Sequence, residues 1–245
     1  MTGRILIATT GRVLRQLRHD PRTIALLLVV PSVLMGLLAW ILADTPGAFD
    51  RFGLSLLGVF PLIVMFMVTA VATLRERTTG TMERLLATPA GKGDVVLGYG
   101  VAFGFAATVQ AVVVAGLSFG AYGLDAAGPF WAVVLVAVSV AVLGTALGLG
   151  ASSMAATEFQ AAQFMPAIIL PQLLLCGLVV PRDQLPAPLE ALSNILPMSY
   201  AVDAMQQLTV SSEVGSQVWR DLAVISAFTV GALILGATTL RRRTP

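Results

Sequence analysis

Charged, helix-capping and turn residues are concentrated in residues 75–99, RERTTGTMERLLATPAGKGDVVLGY. Thr81 is a typical N-cap residue, and Glu83 follows in the first turn, where the helix dipole favours negative charge. Pro89 ends the short helix that this pattern predicts. Three apolar residues share one face of that helix at spacings of three and four: Met82, Leu85 and Leu86. These residue types predict a docking surface rather than a catalytic site.

The alternative interpretation of this stretch is a polar turn that needs only to be soluble. A simple connection needs about two to eight residues. It does not need a capped helix with an exposed apolar stripe. We therefore favour a docking helix in a loop that spans residues 75–94.

The sequence lacks the residues of the common catalytic sites. The single histidine, His19, excludes sites that need two histidines, and the single cysteine, Cys176, excludes an intrachain disulfide. A phosphate-binding loop requires G-x-x-x-x-G-K-[ST], whereas the nearest segment, GKGD at residues 91–94, lacks both the upstream spacing and the hydroxyl. We expect no catalytic residues, no metal site and no ATP hydrolysis on this chain.

The rest of the chain is mostly apolar. Hydrophobic residues make up 57% and charged residues 11%, against about 25% charged in soluble domains. Because a bilayer core about 30 Å thick needs about 20 apolar residues per helix, the continuous runs predict transmembrane helices. The expected fold is an all-α integral membrane protein, a single transmembrane domain over residues 1–245. It has six spans, at residues 23–43, 53–74, 95–120, 130–154, 164–180 and 222–240.

Basic residues predict the orientation of these spans. They are concentrated before the first span, after the second and after the sixth. With six spans all three groups lie on one side, which the positive-inside rule makes cytoplasmic. We therefore expect a multi-pass protein of the cytoplasmic membrane with both termini inside. The first span is longer than a signal-peptide core and lacks a good cleavage site, so it is retained as a helix.

Two segments outside the spans show helical amphipathicity. In residues 4–20 the arginines cluster opposite an apolar face, which predicts a helix in the headgroup plane that contacts anionic lipid. The arginines assigned to lipid contact are Arg12, Arg15, Arg18 and Arg22. The alternative is a basic flank without helical structure. In residues 181–220, apolar residues at spacings of three and four predict two short outer helices that pack at the outer leaflet or dip into it.

The predicted spans contain almost no ionisable side chains. Ion-coupled carriers place charged partners within the bilayer, so this composition argues against secondary transport and against an intramembrane hydrolase. Glu158 lies in the turn between the fourth and fifth spans and fits a solvated residue better than a relay. Two small-x-x-x-small pairs, Gly100 with Gly104 and Gly144 with Gly148, favour close helix packing within the chain over a dimer seam.

Three stretches resemble the permease subunits of type 2 ABC exporters: RERTTGTMERLLATP, RQLRHDPRTIALLLVVP and LPMSYAVDAMQQL. They are similar to the first cytoplasmic loop, the elbow helix and the outer helix of that family. The resemblance implies two partner ATPase chains that hold ATP and Mg²⁺, a second permease chain in a homodimer or heterodimer, and no nucleic-acid partner. It assigns ATPase coupling to Glu76, Gly80, Thr81, Met82, Glu83, Leu85, Leu86, Thr88 and Pro89.

The same resemblance implies that the second and fifth spans line a central cavity. The candidate lining residues are Phe60, Met65, Phe66, Met165, Leu173 and Leu174. Aromatic and Met side chains accept varied apolar shapes, which suits an exported drug, antibiotic or lipid-like molecule. Contact with lipid or neighbouring helices is the alternative for each residue. A membrane scaffold or immunity protein, which binds a partner and moves nothing, is the rival function, and a lipid-modifying enzyme comes third.

Overall fold

The computed structural model describes residues 3–79 and 92–239, in which every regular element is helical. The α-helices are α1 (Gly3–Arg18), α2 (Pro21–Ile41), α3 (Ala48–Leu57), α4 (Phe60–Thr78), α5 (Lys92–Gly120), α6 (Phe130–Met154), α7 (Glu158–Leu175), α8 (Ala187–Ser193), α9 (Pro197–Val210) and α10 (Ser216–Thr239). A short 3-10 helix, Arg182–Gln184, precedes α8. The all-α expectation is confirmed for these ranges.

Five helical stretches are long and apolar enough to cross a membrane: Pro21–Ile41, Ala48–Thr78, Leu97–Gly120, Phe130–Met154 and Ser216–Gly236. They support the prediction of a multi-pass membrane protein. The predicted fifth span, residues 164–180, is not among them. The helix in this region, α7, begins earlier and ends earlier, and its 18 residues include three glutamines and two prolines that reduce its apolar character. The count of six spans stays a prediction.

The predicted second span, residues 53–74, lies within a 31-residue apolar stretch, Ala48–Thr78, that is divided between α3 and α4. The break falls at Gly58 and Val59, and Pro61 lies in the first turn of α4. Proline is tolerated there because the first-turn N–H groups have no helical acceptor. A Cβ on Gly58 would lie 3.0 Å from Met205 Cγ. The glycine therefore allows α9 to pack closely against the break.

Helices α4 and α6 pack together at the centre of the core. Two glycines of α6 make their close approach possible. A Cβ on Gly148 would lie 2.6 Å from the Phe66 carbonyl oxygen, and a Cβ on Gly144 would clash with the Leu62 backbone. This glycine pair serves packing within the chain, as the sequence favoured. The Gly100 and Gly104 pair instead borders a cavity of about 380 Å³ between α5, α6 and α10.

The helix bundle has two chemically different ends. At the end that we call the basic end, α1 packs against the start of α5, where Thr10 Oγ1 donates to the Gly98 carbonyl at 3.1 Å. The end of α4 and the start of α7 lie at the same end, since their side chains form an ion pair. At the opposite end, which we call the acidic end, α8 and α9 precede the start of α10.

Candidate functional site

Three side chains at the basic end form a compact hydrogen-bonded group, the Glu76 triad, made of Arg12, Glu76 and Tyr99. The Glu76 carboxylate accepts a hydrogen bond from Arg12 Nη2 at 2.8 Å and another from the Tyr99 hydroxyl. Arg12 Nη2 also donates to the Tyr99 hydroxyl oxygen at 2.6 Å. The Arg12 guanidinium carbon lies 5.6 Å from the centre of the Tyr99 ring, within range of a cation–π contact.

The Glu76 triad is largely shielded from solvent. The side chain of Glu76 is 14% exposed and that of Arg12 is 27% exposed. Tyr99 is fully buried. A carboxylate in such a place is costly unless a cation and hydrogen-bond donors compensate its charge. Arg12 supplies the cation and Tyr99 the neutral donor, so the three side chains stabilise one another.

The Glu76 triad links three helices. Arg12 lies on α1, Glu76 lies near the end of α4, and Tyr99 lies near the start of α5. The chain between α4 and α5 contains the stretch that the sequence identifies as a docking loop. The triad therefore joins both helices that flank this loop to the N-terminal helix.

A second ion pair connects α4 to the first turn of α7. Arg75 donates from Nε to Glu158 Oε1 at 3.0 Å and from Nη2 to Glu158 Oε2 at 3.2 Å. The hydrogen bond from Arg75 holds the pKa of Glu158 below its usual range. Both side chains are about half exposed, 59% and 46%, so the pair contributes modestly to stability. Arg77 next to it donates to the Ser152 carbonyl at the end of α6.

The predicted coupling residues divide into two groups. Glu76 lies within the described residues, and its hydrogen bond with the buried Tyr99 was not expected from the sequence. The others lie outside the described residues: Gly80, Thr81, Met82, Glu83, Leu85, Leu86, Thr88 and Pro89. Their assignment to ATPase coupling stays a prediction.

The arginines predicted to contact lipid behave differently from one another. Arg15, Arg18 and Arg22 are exposed, whereas Arg12 is half-buried in the Glu76 triad. On the other face of α1, Val13 is buried. The helix therefore has an apolar face and a basic face, and one arginine of the basic face, Arg12, contacts protein rather than solvent. Its placement in the headgroup plane stays a prediction.

The six candidate cavity residues lie in different environments. Met65 and Phe66 of α4 are fully buried within this chain. Leu174 of α7 is 62% exposed. The remaining three are partly buried and packed on the core: Phe60, Met165 and Leu173. Their contact with a transported molecule stays a prediction.

The acidic end contains a polar cluster that the sequence analysis missed. Arg182 donates to the carboxylate of Asp203 and to Asn194 Oδ1, and it lies over the ring of Tyr200. Burial raises the pKa of Asp203, although Arg182 opposes the shift. A cavity of about 410 Å³ opens beside this cluster, and most of the residues around it have polar side chains. Its polar lining includes Asp183, Glu190, Gln206, Gln207 and Gln217.

Comparison with known proteins decides the family. The ABC-2 type transporter family matches residues 5–210. The chain belongs to this family. The matched range includes all three residues of the Glu76 triad and the polar cluster around Arg182. In this ABC-2 chain, both clusters are therefore parts of the shared membrane domain.

Two curated relatives of this ABC-2 chain have the same description, "Probable multidrug ABC transporter permease YbhR", in Escherichia coli strain K12 and in Escherichia coli O157:H7. Each is 30% identical to this chain over 184 residues. The aligned part covers 73% of this chain and 49% of each relative. The chain thus spans about half the length of these relatives.

Proposed function

We propose that this chain is the permease subunit of an ABC exporter, which moves a hydrophobic or amphipathic molecule outward across the cytoplasmic membrane. Membership of the ABC-2 type transporter family and five apolar stretches of spanning length support this proposal. The chain itself is not catalytic. Two separate ATPase chains, which carry ATP and Mg²⁺, supply the energy. A second permease chain, identical or different, completes the transporter.

The observation that carries the proposal is the Glu76 triad. An ATPase that docks on the loop after α4 moves the ends of α4 and α5. Because Glu76 on α4 and Tyr99 on α5 both bind Arg12, these helix ends and α1 move as one unit. The bidentate pair of Arg75 with Glu158 extends the link to α7. Such contacts transmit a local displacement into the membrane domain.

The basic end is the cytoplasmic end in this proposal. Arg12, Arg75 and Arg77 lie there, together with the exposed arginines of α1. Cytoplasmic loops of membrane proteins carry an excess of Lys and Arg. Both termini are then cytoplasmic, and the six spans include α7.

The cargo is proposed to be a drug, antibiotic or lipid-like molecule. The description of the two Escherichia coli relatives as probable multidrug permeases supports this class. Leu174 is exposed on α7, and Met165 and Leu173 lie on the same helix, partly exposed. Flexible apolar side chains of this kind accept varied shapes without fixed hydrogen bonds. A cavity formed with a second permease chain would place them in contact with cargo.

The test is purification of the tagged chain from gently solubilised native membranes. We expect a P-loop ATPase to co-purify in a stoichiometric amount, and Glu83→Arg to abolish its retention. The matched control is Glu190→Arg, which makes the same charge change at the acidic end and should retain the ATPase. If the chain purifies without an ATPase, in a detergent that preserves other ABC complexes, the proposal is refuted.

The rival function is a membrane scaffold or immunity protein that binds a partner without transport. It predicts a co-purifying protein that has no P-loop. The same purification therefore distinguishes the two functions by the identity of the bound chain.

A further inference from the structure

A cavity of about 390 Å³ lies between α1, α2 and α4 at the basic end. It is separate from the proposed cargo residues, none of which contributes to its lining. Helix α2 packs sparsely, since only 22% of its apolar membrane-spanning segment is buried within the chain. Leu26 of α2 lines the cavity and is 58% exposed. The cavity therefore borders the surface that a membrane would cover.

Polar and apolar lining residues are separated along the axes of α2 and α4. The polar ones lie at helix ends: Gln16, Asp20, Thr23, Arg75 and Glu76. The apolar ones are Val13, Leu17, Leu26, Met67, Val68, Val71, Ala72 and Phe103. On α4, Met67 precedes Arg75 by eight residues, which is about 12 Å along the axis. The cavity thus has a polar mouth at the level of lipid headgroups and an apolar interior.

The mouth of the cavity holds opposite charges that do not pair directly with each other. Asp20 accepts hydrogen bonds from the N–H and hydroxyl of Thr23, at 3.2 and 2.7 Å, but forms no ion pair within the described residues. Arg75 binds Glu158 through two of its five N–H donors, and its side chain is 59% exposed. Glu76 is already neutralised by Arg12. One carboxylate and one guanidinium therefore face the mouth with capacity for a ligand.

We propose that this cavity binds one phospholipid with a zwitterionic, amine-bearing headgroup, of the phosphatidylethanolamine class. Arg75 contacts the phosphate, and Asp20 contacts the ammonium group that lies two carbons away. One acyl chain runs along Val71 and Met67. Phosphatidylglycerol lacks the ammonium group, and a choline lipid has no N–H to donate to the carboxylate. The proposal does not depend on transport or on an ATPase.

The headgroup is tested on the purified full-length chain, without ATPase, in an equimolar mixture of phosphatidylethanolamine, phosphatidylglycerol and phosphatidylcholine. Native mass spectrometry measures which lipid the chain retains. We expect retention of phosphatidylethanolamine, and a roughly fivefold weaker preference in Asp20→Asn, since a partly exposed ion pair has about that effect. Asparagine caps helices as well as aspartate does, so α2 is preserved. Asp50→Asn, at the acidic end, should retain the wild-type preference.

The tail is tested with a substitution that fills the cavity. Val71→Phe should abolish the rise in melting temperature on adding phosphatidylethanolamine. Val33→Phe, on the exposed face of α2, should leave that rise unchanged. Equal retention of the three lipids by the wild-type chain, an unchanged preference in Asp20→Asn, or an unchanged rise in Val71→Phe would each overturn the proposal. None of these results bears on ATPase co-purification, so the proposed function is tested independently.

Discussion

Replacing Arg12 with methionine should destabilise the basic end, because it removes the cation from the Glu76 triad. Methionine preserves the apolar stem and the helix propensity of the arginine. The Glu76 carboxylate, 14% exposed, would keep the hydrogen bond from Tyr99 as its one remaining partner among the described residues. The perturbation therefore isolates the charge–charge contact between α1 and α4.

The expected cost follows from the geometry. A hydrogen bond to a charged group contributes about 1.5–3 kcal/mol. Because the Arg12 side chain is 27% exposed, water partly replaces the contact, and we expect about 2 kcal/mol. For a chain of this size each kcal/mol lowers the melting temperature by about 2–4 °C, so the expected decrease is about 4–8 °C.

The assay is thermal melting of the purified chain in lipid nanodiscs. The matched control is Arg15→Met, which removes an exposed arginine from the same helix and should change the melting temperature little. The double variant Arg12→Met/Glu76→Gln should be more stable than Arg12→Met alone, since no unpaired carboxylate remains. The reasoning is refuted if Arg12→Met behaves like Arg15→Met, or if the two triad substitutions are simply additive.

Three further predictions concern packing and charge. Gly148→Val should cost about 1–3 kcal/mol, because a Cβ there meets a backbone carbonyl at 2.6 Å, whereas Gly100→Val, with no atom nearer than 3.8 Å, should melt close to wild type. The lowered pKa of Glu158 means that its ion pair stabilises the fold above the usual value of 4.5 and is lost as pH falls through the lower folded value. Glu158→Gln should therefore reduce the loss of melting temperature at acidic pH. The same loss in the variant as in the wild-type chain would contradict this. Arg182→Gln should destabilise the acidic end by about 1–3 kcal/mol, and Asp203→Asn in the same chain should restore part of the loss.

Much of the fold could be predicted because apolar length and helix-ending residues are local properties of the sequence. The predicted fourth span, residues 130–154, coincides with α6. The division of the second span at Gly58 was missed, because an uninterrupted apolar run does not show that α9 packs against its middle. The polar, proline-containing helix α7 starts at Glu158, before its apolar part, because the Thr157 hydroxyl oxygen caps it by accepting a hydrogen bond from the Gln160 N–H.

The pairings of the candidate site could not be predicted from spacing. Arg12 and Glu76 are 64 residues apart, and Arg75 and Glu158 are 83 apart. The sequence identified Arg12 by its helical face and Glu76 by its motif, but only tertiary packing shows that they bind each other. Tyr99 gave no signal, since a single tyrosine at the start of an apolar helix is typical of a membrane interface.

The central claim is that a separate ATPase drives this chain through its basic end. The most direct test measures ATP hydrolysis in lipid vesicles that contain the ATPase bound to this chain, with and without a panel of amphipathic compounds. We expect at least one compound to change the hydrolysis rate of the wild-type complex. In complexes that still contain the ATPase, Arg12→Met/Glu76→Gln, which removes the charge pair of the Glu76 triad, should weaken this response. If the hydrolysis rate is identical for the wild-type complex, the double variant and the ATPase alone across the panel, the ATPase does not drive this chain through its basic end.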